Sequence, residues 1–139
     1  IGQPFIELSI LNKKFYFKLL NSIKKLYPNF LYVPSRKEND KILENMKKNI
    51  NVNILRTDMN IEHYLLKNKI IPKRIIGFTS TALVSLDKIF NKEQNYIEIK
   101  SIRINDEIIE KNRPKFGMNY SFDKHYKLLN DFKIKSLKI

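Results

Sequence analysis

The chain has no cysteine, and only three glycines and five prolines among its 139 residues. Without cysteine there is neither a disulfide framework nor a thiolate metal site, and the absence fits a reducing compartment. Gly2, Gly77 and Gly117 are too few and too far apart for a glycine-rich dinucleotide loop in its usual form. So little Gly and Pro also excludes a fibrous or disordered chain. Lys, Asn or Asp interrupts the apolar residues every few positions. No run therefore approaches the about 18 residues that a transmembrane helix needs. Carboxylates are scarce too, 14 against 27 Lys and Arg. His63 and His125 have no partners at metal-ligand spacing, so no metal is expected. The start, Ile1-Gly2-Gln3-Pro4, has no initiator Met, no basic segment and no apolar segment. It reads as a cut into a longer polypeptide, not as a signal peptide.

What is there suffices for a packed interior: 42% of residues are hydrophobic and 12% aromatic. The length predicts one domain spanning residues 1–139. A net charge of +13 favours anionic partners such as nucleic acid, an anionic membrane face or phosphorylated substrates. The cations are scattered, and only five are Arg. A solvated, lysine-rich surface from an AT-biased genome, also rich in Asn and Ile, would give the same balance. No helix-turn-helix, RNA-binding or zinc pattern accompanies the charge, so nucleic acid has charge alone behind it.

Short β-rich runs alternate with helical patterns, which predicts an α/β fold with a parallel sheet flanked by helices. Ile1 is taken as the tail of a first strand. Asn12 is expected to cap a helix with the stripe Phe15, Leu19, Leu20, Ile23 and Leu26, closed by Pro28. Strands follow at Phe30–Val33, Val52–Leu55 and Arg74–Phe78, with helices at Glu38–Lys48 and after Asn60 between them. Thr79-Ser80-Thr81 opens another helix carrying Leu83, Leu86 and Phe90. An edge strand is expected over Tyr96–Ile102, irregular structure over Arg103–Met118, and then a helix capped by Ser121. That order is half or more of a doubly wound sheet, in which ligands bind beyond the carboxyl ends of the strands.

Four predicted strand ends carry polar residues: Gln3-Pro4, Ser35-Arg36, Arg56-Thr57-Asp58 and Thr79-Ser80-Thr81. All should lie along one edge. Gly77-Phe78-Thr79-Ser80-Thr81 places three hydroxyls and backbone N–H groups at a helix start, where dipole and donors favour phosphate. Simple N-capping would use the same residues. Arg36 offers a fork for carboxylate or phosphate, although Ser35-Arg36-Lys37-Glu38 is also an ordinary charged helix start. Glu62, in a first helical turn, suits the dipole in any case, and could accept from sugar hydroxyls.

Taken in order, Ile1-Gly2-Gln3-Pro4, Tyr32-Val33-Pro34-Ser35-Arg36-Lys37-Glu38, Asn60-Ile61-Glu62 and Ile75-Ile76-Gly77-Phe78-Thr79-Ser80-Thr81-Ala82-Leu83 resemble bacterial sialyltransferases. The nearest group is glycosyltransferase family 52, the lipooligosaccharide sialyltransferases, with capsular polysialyltransferases as neighbours. The similarity spans roughly residues 1–104. It implies a GT-B enzyme whose second, Rossmann-like domain binds CMP-sialic acid, this chain being that domain and an N-terminal acceptor half its partner. An acceptor hydroxyl would displace CMP with inversion, without a metal. By position Ser80 and Thr81, beside Thr79, would hold the CMP phosphate. Glu62 would lie near the nucleoside, and Gln3 and Pro4 would line the cleft between domains.

The chain departs from that pattern twice. Where the family has a His after the Pro of the second strand, this chain has Ser35, which cannot titrate near neutral pH; Arg36 could supply compensating charge. Where an acidic pair follows Gly-Gln-Pro, only Glu7 remains as candidate base. Two functions are thus expected: sialyl transfer to a lipooligosaccharide or capsular glycan, or a catalytically degenerate module that binds nucleotide or pairs with a subunit. A cytoplasmic location is expected, with the basic surface serving an anionic acceptor or the inner leaflet of the cytoplasmic membrane, and a homodimer is a further expected partner.

Overall fold

In the computed structural model, residues 1–91, 97–115, 117 and 121–137 are described. They form two compact units, one of Gly2–Leu55 with Ile104–Ser121, the other of Ile1, Arg56–Arg103 and Phe122–Lys138. Both combine short parallel strands with helices, so the α/β expectation holds at that level. No helix among the described residues is long and apolar enough to cross a membrane.

The first unit holds α1 (Lys13–Leu26), β1 (Leu31–Tyr32), α2 (Asp40–Ile50), β2 (Asn53–Ile54) and α5 (Asp106–Asn112). Asn12 caps α1 as expected, its Oδ1 accepting from the Phe15 amide at 2.9 Å. The buried face is centred on Tyr16, Leu20 and Ile23, whereas Leu26 is exposed. The stripe is therefore rotated towards Tyr16. Helix α2 starts at Asp40, not Glu38, because Asn39 is the cap and accepts from the Lys41 amide. Strands β1 and β2 pair in parallel, Leu31 with Asn53 and Tyr32 with Ile54, so α2 is a crossover helix.

Helix α5 corrects the expectation of irregular structure after Arg103. Asn105 caps it by accepting from the Ile108 amide, and Asp106 and Glu107 lie in its first turn, where the macrodipole favours carboxylates. Its periodicity is faint because Ile109 is its one buried residue. The Met118 end of the expected irregular stretch lies outside the described residues.

The second unit holds α3 (Ile61–Lys67), β3 (Arg74–Gly77), α4 (Ala82–Phe90), β4 (Glu98–Ile102), α6 (Asp123–Asp131) and β5 (Lys135–Leu137). The three strands are parallel in the order β3-β4-β5. β4 is thus a central strand, not the expected edge; Tyr96, the expected first residue, lies outside the described residues. β3 and β5 are the edges; β5 exposes Lys135 and Ser136, and so polar a strand gives almost no hydrophobic signal. Leu65, Ile75, Leu83, Leu86, Phe90, Ile99 and Leu129 pack in one core. Phe122, not Ser121, holds the N-cap position of α6 and makes no side-chain cap. The Ser121 hydroxyl instead bonds Asp106 Oδ2 at 3.1 Å in the first unit.

Candidate functional site

Gln3, Pro4, Glu7, Ser35 and Arg36 fall in the first unit, and Glu62, Thr79, Ser80 and Thr81 in the second.

In the first unit the loop after β1 folds around a buried carboxylate. Glu38 is 4% exposed. Its Oε1 accepts from the Tyr32 hydroxyl at 2.5 Å and its Oε2 from the Ser35 amide at 2.5 Å. Tyr32 and Tyr16 share a hydroxyl–hydroxyl bond of 2.8 Å, and the Gln3 amide donates to the Tyr16 hydroxyl at 3.3 Å. Burial pushes the Glu38 carboxyl up to about 7, although its bonds from Tyr32 and Ser35 favour the ionised form and oppose the rise. Burial also raises both tyrosines well above the ordinary phenol range. The run of hydroxyls can be oriented in either direction. With Glu38 ionised, Tyr32 donates to it; with Glu38 protonated, the carboxyl can donate and the tyrosines reverse.

This network gathers two of the expected residues, Gln3 and Ser35, but through their backbone amides. The Ser35 hydroxyl faces its own loop, accepting from the Lys37 amide at 3.5 Å. Glu7 Oε1 accepts from the Asn39 amide at 2.7 Å, so one oxygen of this candidate base fastens the residue that caps α2. Pro4 is buried and Arg36 exposed. Tyr16, Tyr32 and the special role of Glu38 were not anticipated. The signal for them was two tyrosines at apolar positions of a helix and a strand, since a buried phenol needs a partner for its hydroxyl.

In the second unit β3 runs directly into Phe78-Thr79-Ser80-Thr81 and α4. Thr79 is buried, Ser80 half-buried and Thr81 exposed. Ser80 Oγ accepts from the Ala82 amide at 3.3 Å, which leaves its own proton to donate elsewhere. Thr81 holds the N-cap position in helical conformation and makes no side-chain cap. The Leu83 and Val84 amides already donate to the Ser80 and Thr81 carbonyls. Any anion here would thus meet the hydroxyls more than the amides of the first turn. A Cβ on Gly77 would approach Leu83 Cδ2 to 3.0 Å, so a larger residue there requires the Leu83 side chain to shift by a few tenths of an ångström. Ser101 lies opposite Gly77 on β4; it is fully buried, and its hydroxyl has no hydrogen-bond partner among the described residues. Glu62 is half-buried in the first turn of α3, whose cap Asn60 accepts from the His63 amide.

A further opening in the first unit contains none of the expected residues. An exposed groove of about 760 Å³ is lined by Lys13, Lys14, Lys18 and Lys25 of α1 and by Asn45 and Asn49 of α2. Among the described residues no group of His, Cys, Asp and Glu could hold a metal ion. No family model, curated protein or solved structure matches this chain.

Proposed function

We propose that the second unit binds the phosphate of a CMP-sugar, CMP-sialic acid foremost, as part of the donor domain of an inverting GT-B glycosyltransferase. The observation that carries the reading is the passage from β3 through Thr79-Ser80-Thr81 into α4. It sets a half-buried and an exposed hydroxyl beyond the carboxyl end of a parallel strand, where α/β sheets receive ligands. The resemblance of the motif order to that of family 52 sialyltransferases is what suggests the donor's identity. On this reading the enzyme needs no metal and works in the cytoplasm with an N-terminal acceptor half, towards a lipooligosaccharide or capsular glycan.

Ser80→Ala with Thr81→Ala is expected to weaken CMP binding by about 1–3 kcal/mol, the scale for hydrogen bonds to a charged group. Thermal shift against CMP and CMP-sialic acid measures it, because a ligand that binds only the folded state raises stability. If no cytidine nucleotide stabilises even the natural sequence, the donor reading fails.

A second reading, a module that binds nucleotide or pairs with a subunit without turnover, is favoured by the engaged candidate base Glu7 and by Ser35 in place of the family's His. The two readings diverge in the protein joined to its acceptor half. If catalysis has been lost with the imidazole, Ser35→His should raise turnover and introduce a pH dependence near an ordinary His value, about 6.5. If Ser35→His abolishes an activity that the natural sequence has, Ser35 is adapted and the mechanism differs from that of the family.

A further inference from the structure

The turn between α3 and β3 exposes apolar side chains that a stable fold has no need to show. Leu66, Ile70 and Ile71 are 52%, 41% and 57% exposed, and the two isoleucines are consecutive. Their outward position is held by the backbone, since the Lys69 amide donates to the Leu66 carbonyl and the Ile70 amide to the Leu65 carbonyl. Lys69 takes a left-handed conformation, φ 54°, unusual for a residue with a side chain. Lys67 at the end of α3, Lys69 and Lys73 flank the isoleucines in sequence, all exposed. No carboxylate occurs in the sequence between Glu62 and Asp87. Arg74, next along, is held by Glu98, so the three lysines are the cations of this turn.

We infer that the segment from the end of α3 to β3, with the exposed Ile70 and Ile71 and the flanking Lys67, Lys69 and Lys73, is a docking surface for an anionic lipid membrane. Exposed apolar residues flanked by exposed lysines complement an interface of acyl chains beneath anionic headgroups. The isoleucines enter the boundary between headgroups and chains, and the lysines meet the phosphates above. A nucleic acid would satisfy the lysines but leave the isoleucines in water, which is why lipid is favoured over a soluble polyanion. The inference is independent of the donor-site reading and would survive its failure.

The chain contains no tryptophan, so Ile71→Trp makes a single reporter in this segment. Its emission should shift to the blue, and brominated acyl chains should quench it, with vesicles of phosphatidylcholine containing about one third phosphatidylserine. Phosphatidylcholine alone should have little effect. In co-sedimentation of the full chain, Ile70→Ser with Ile71→Ser should lower binding to the anionic vesicles about tenfold at unchanged net charge. Leu26→Ser with Leu31→Ser, at exposed positions of the first unit, should bind like the natural sequence. Undiminished binding of the isoleucine double variant would reduce the effect to general attraction of a basic protein and overturn the inference. So would emission from the Ile71→Trp variant that stays unshifted, or that responds to a DNA oligonucleotide and not to vesicles.

Discussion

Raising the pH from about 4.5 to 7 should cost the folded chain about 3 kcal/mol through Glu38 alone. The carboxyl titrates near 7 in the folded protein against an ordinary value of 4.5. Between these values the folded state holds a proton that the unfolded state has released. The stabilisation by Glu38 is therefore complete below the unfolded value and lost as pH rises through the folded one, at about 1.4 kcal/mol per unit of difference. Glu98 acts in the opposite sense. Hydrogen bonds from Lys100 and Arg74 lower its pKa, so its contribution is present above the unfolded value and lost as pH falls. The Glu38 effect is isolated by comparison with Glu38→Gln, which keeps the shape and can donate to Tyr32 while accepting from Ser35. The gap in melting temperature between the two proteins should change by about 10 °C from roughly pH 4.5 to 8, in favour of Gln at high pH. Melting temperatures that run parallel across this range would show that Glu38 does not titrate there. Glu38→Leu should be destabilising by about 2–4 kcal/mol at any pH below about 7, since it strands the Tyr32 hydroxyl and the Ser35 amide without an acceptor.

Gly2→Ala should destabilise the first unit by about 1–3 kcal/mol or more, through overpacking against the same network. A Cβ there would stand 2.5 Å from Tyr32 Cζ and 2.6 Å from Glu38 Oε2, distances that no side chain tolerates without movement. The Gly2 amide is meanwhile fixed to the Val33 carbonyl at 2.7 Å, so the backbone cannot withdraw without losing that bond. Tyr32→Phe removes the hydroxyl that meets the new methyl group, at the cost of its bond to Glu38. The two changes should consequently cost less together than the sum of their separate costs in denaturant unfolding. Strict additivity would mean that the Tyr32 hydroxyl is not what requires glycine at position 2, leaving the Tyr32 ring and the Glu38 carboxylate as the groups that exclude a Cβ. The glycine in Ile1-Gly2-Gln3-Pro4 thus has a local physical role here, whatever that motif does elsewhere.

The local features were legible in the sequence because their causes are local. Asn12 and Asn60 cap helices as expected, since an Asn side chain reaches the amide three residues on without help from the rest of the chain. The run Arg74–Gly77 forms a strand feeding a helix at Ala82, because two consecutive isoleucines before a glycine and three hydroxyl residues satisfy strand, turn and cap preferences in succession. Signals failed where too few apolar residues marked the element. Helix α5 buries only Ile109, and β5 presents Lys135 and Ser136 to water; such elements are held by neighbours, which periodicity cannot detect.

Residue identity and short spacing were thus enough to establish an α/β chain with parallel strands, a hydroxyl-rich turn after β3, and the exclusion of cysteine chemistry. The packed fold was needed to show that β4 is central, that Ser35 and Gln3 contribute amides to a buried network around Glu38, and that Glu7 fastens Asn39. Those outcomes depend on which distant segments meet. A hydrogen bond between Tyr16 and Tyr32, or from Tyr32 to Glu38, is set by packing between residues sixteen or six positions apart. The energy that raises the Glu38 pKa comes from the water that such packing excludes.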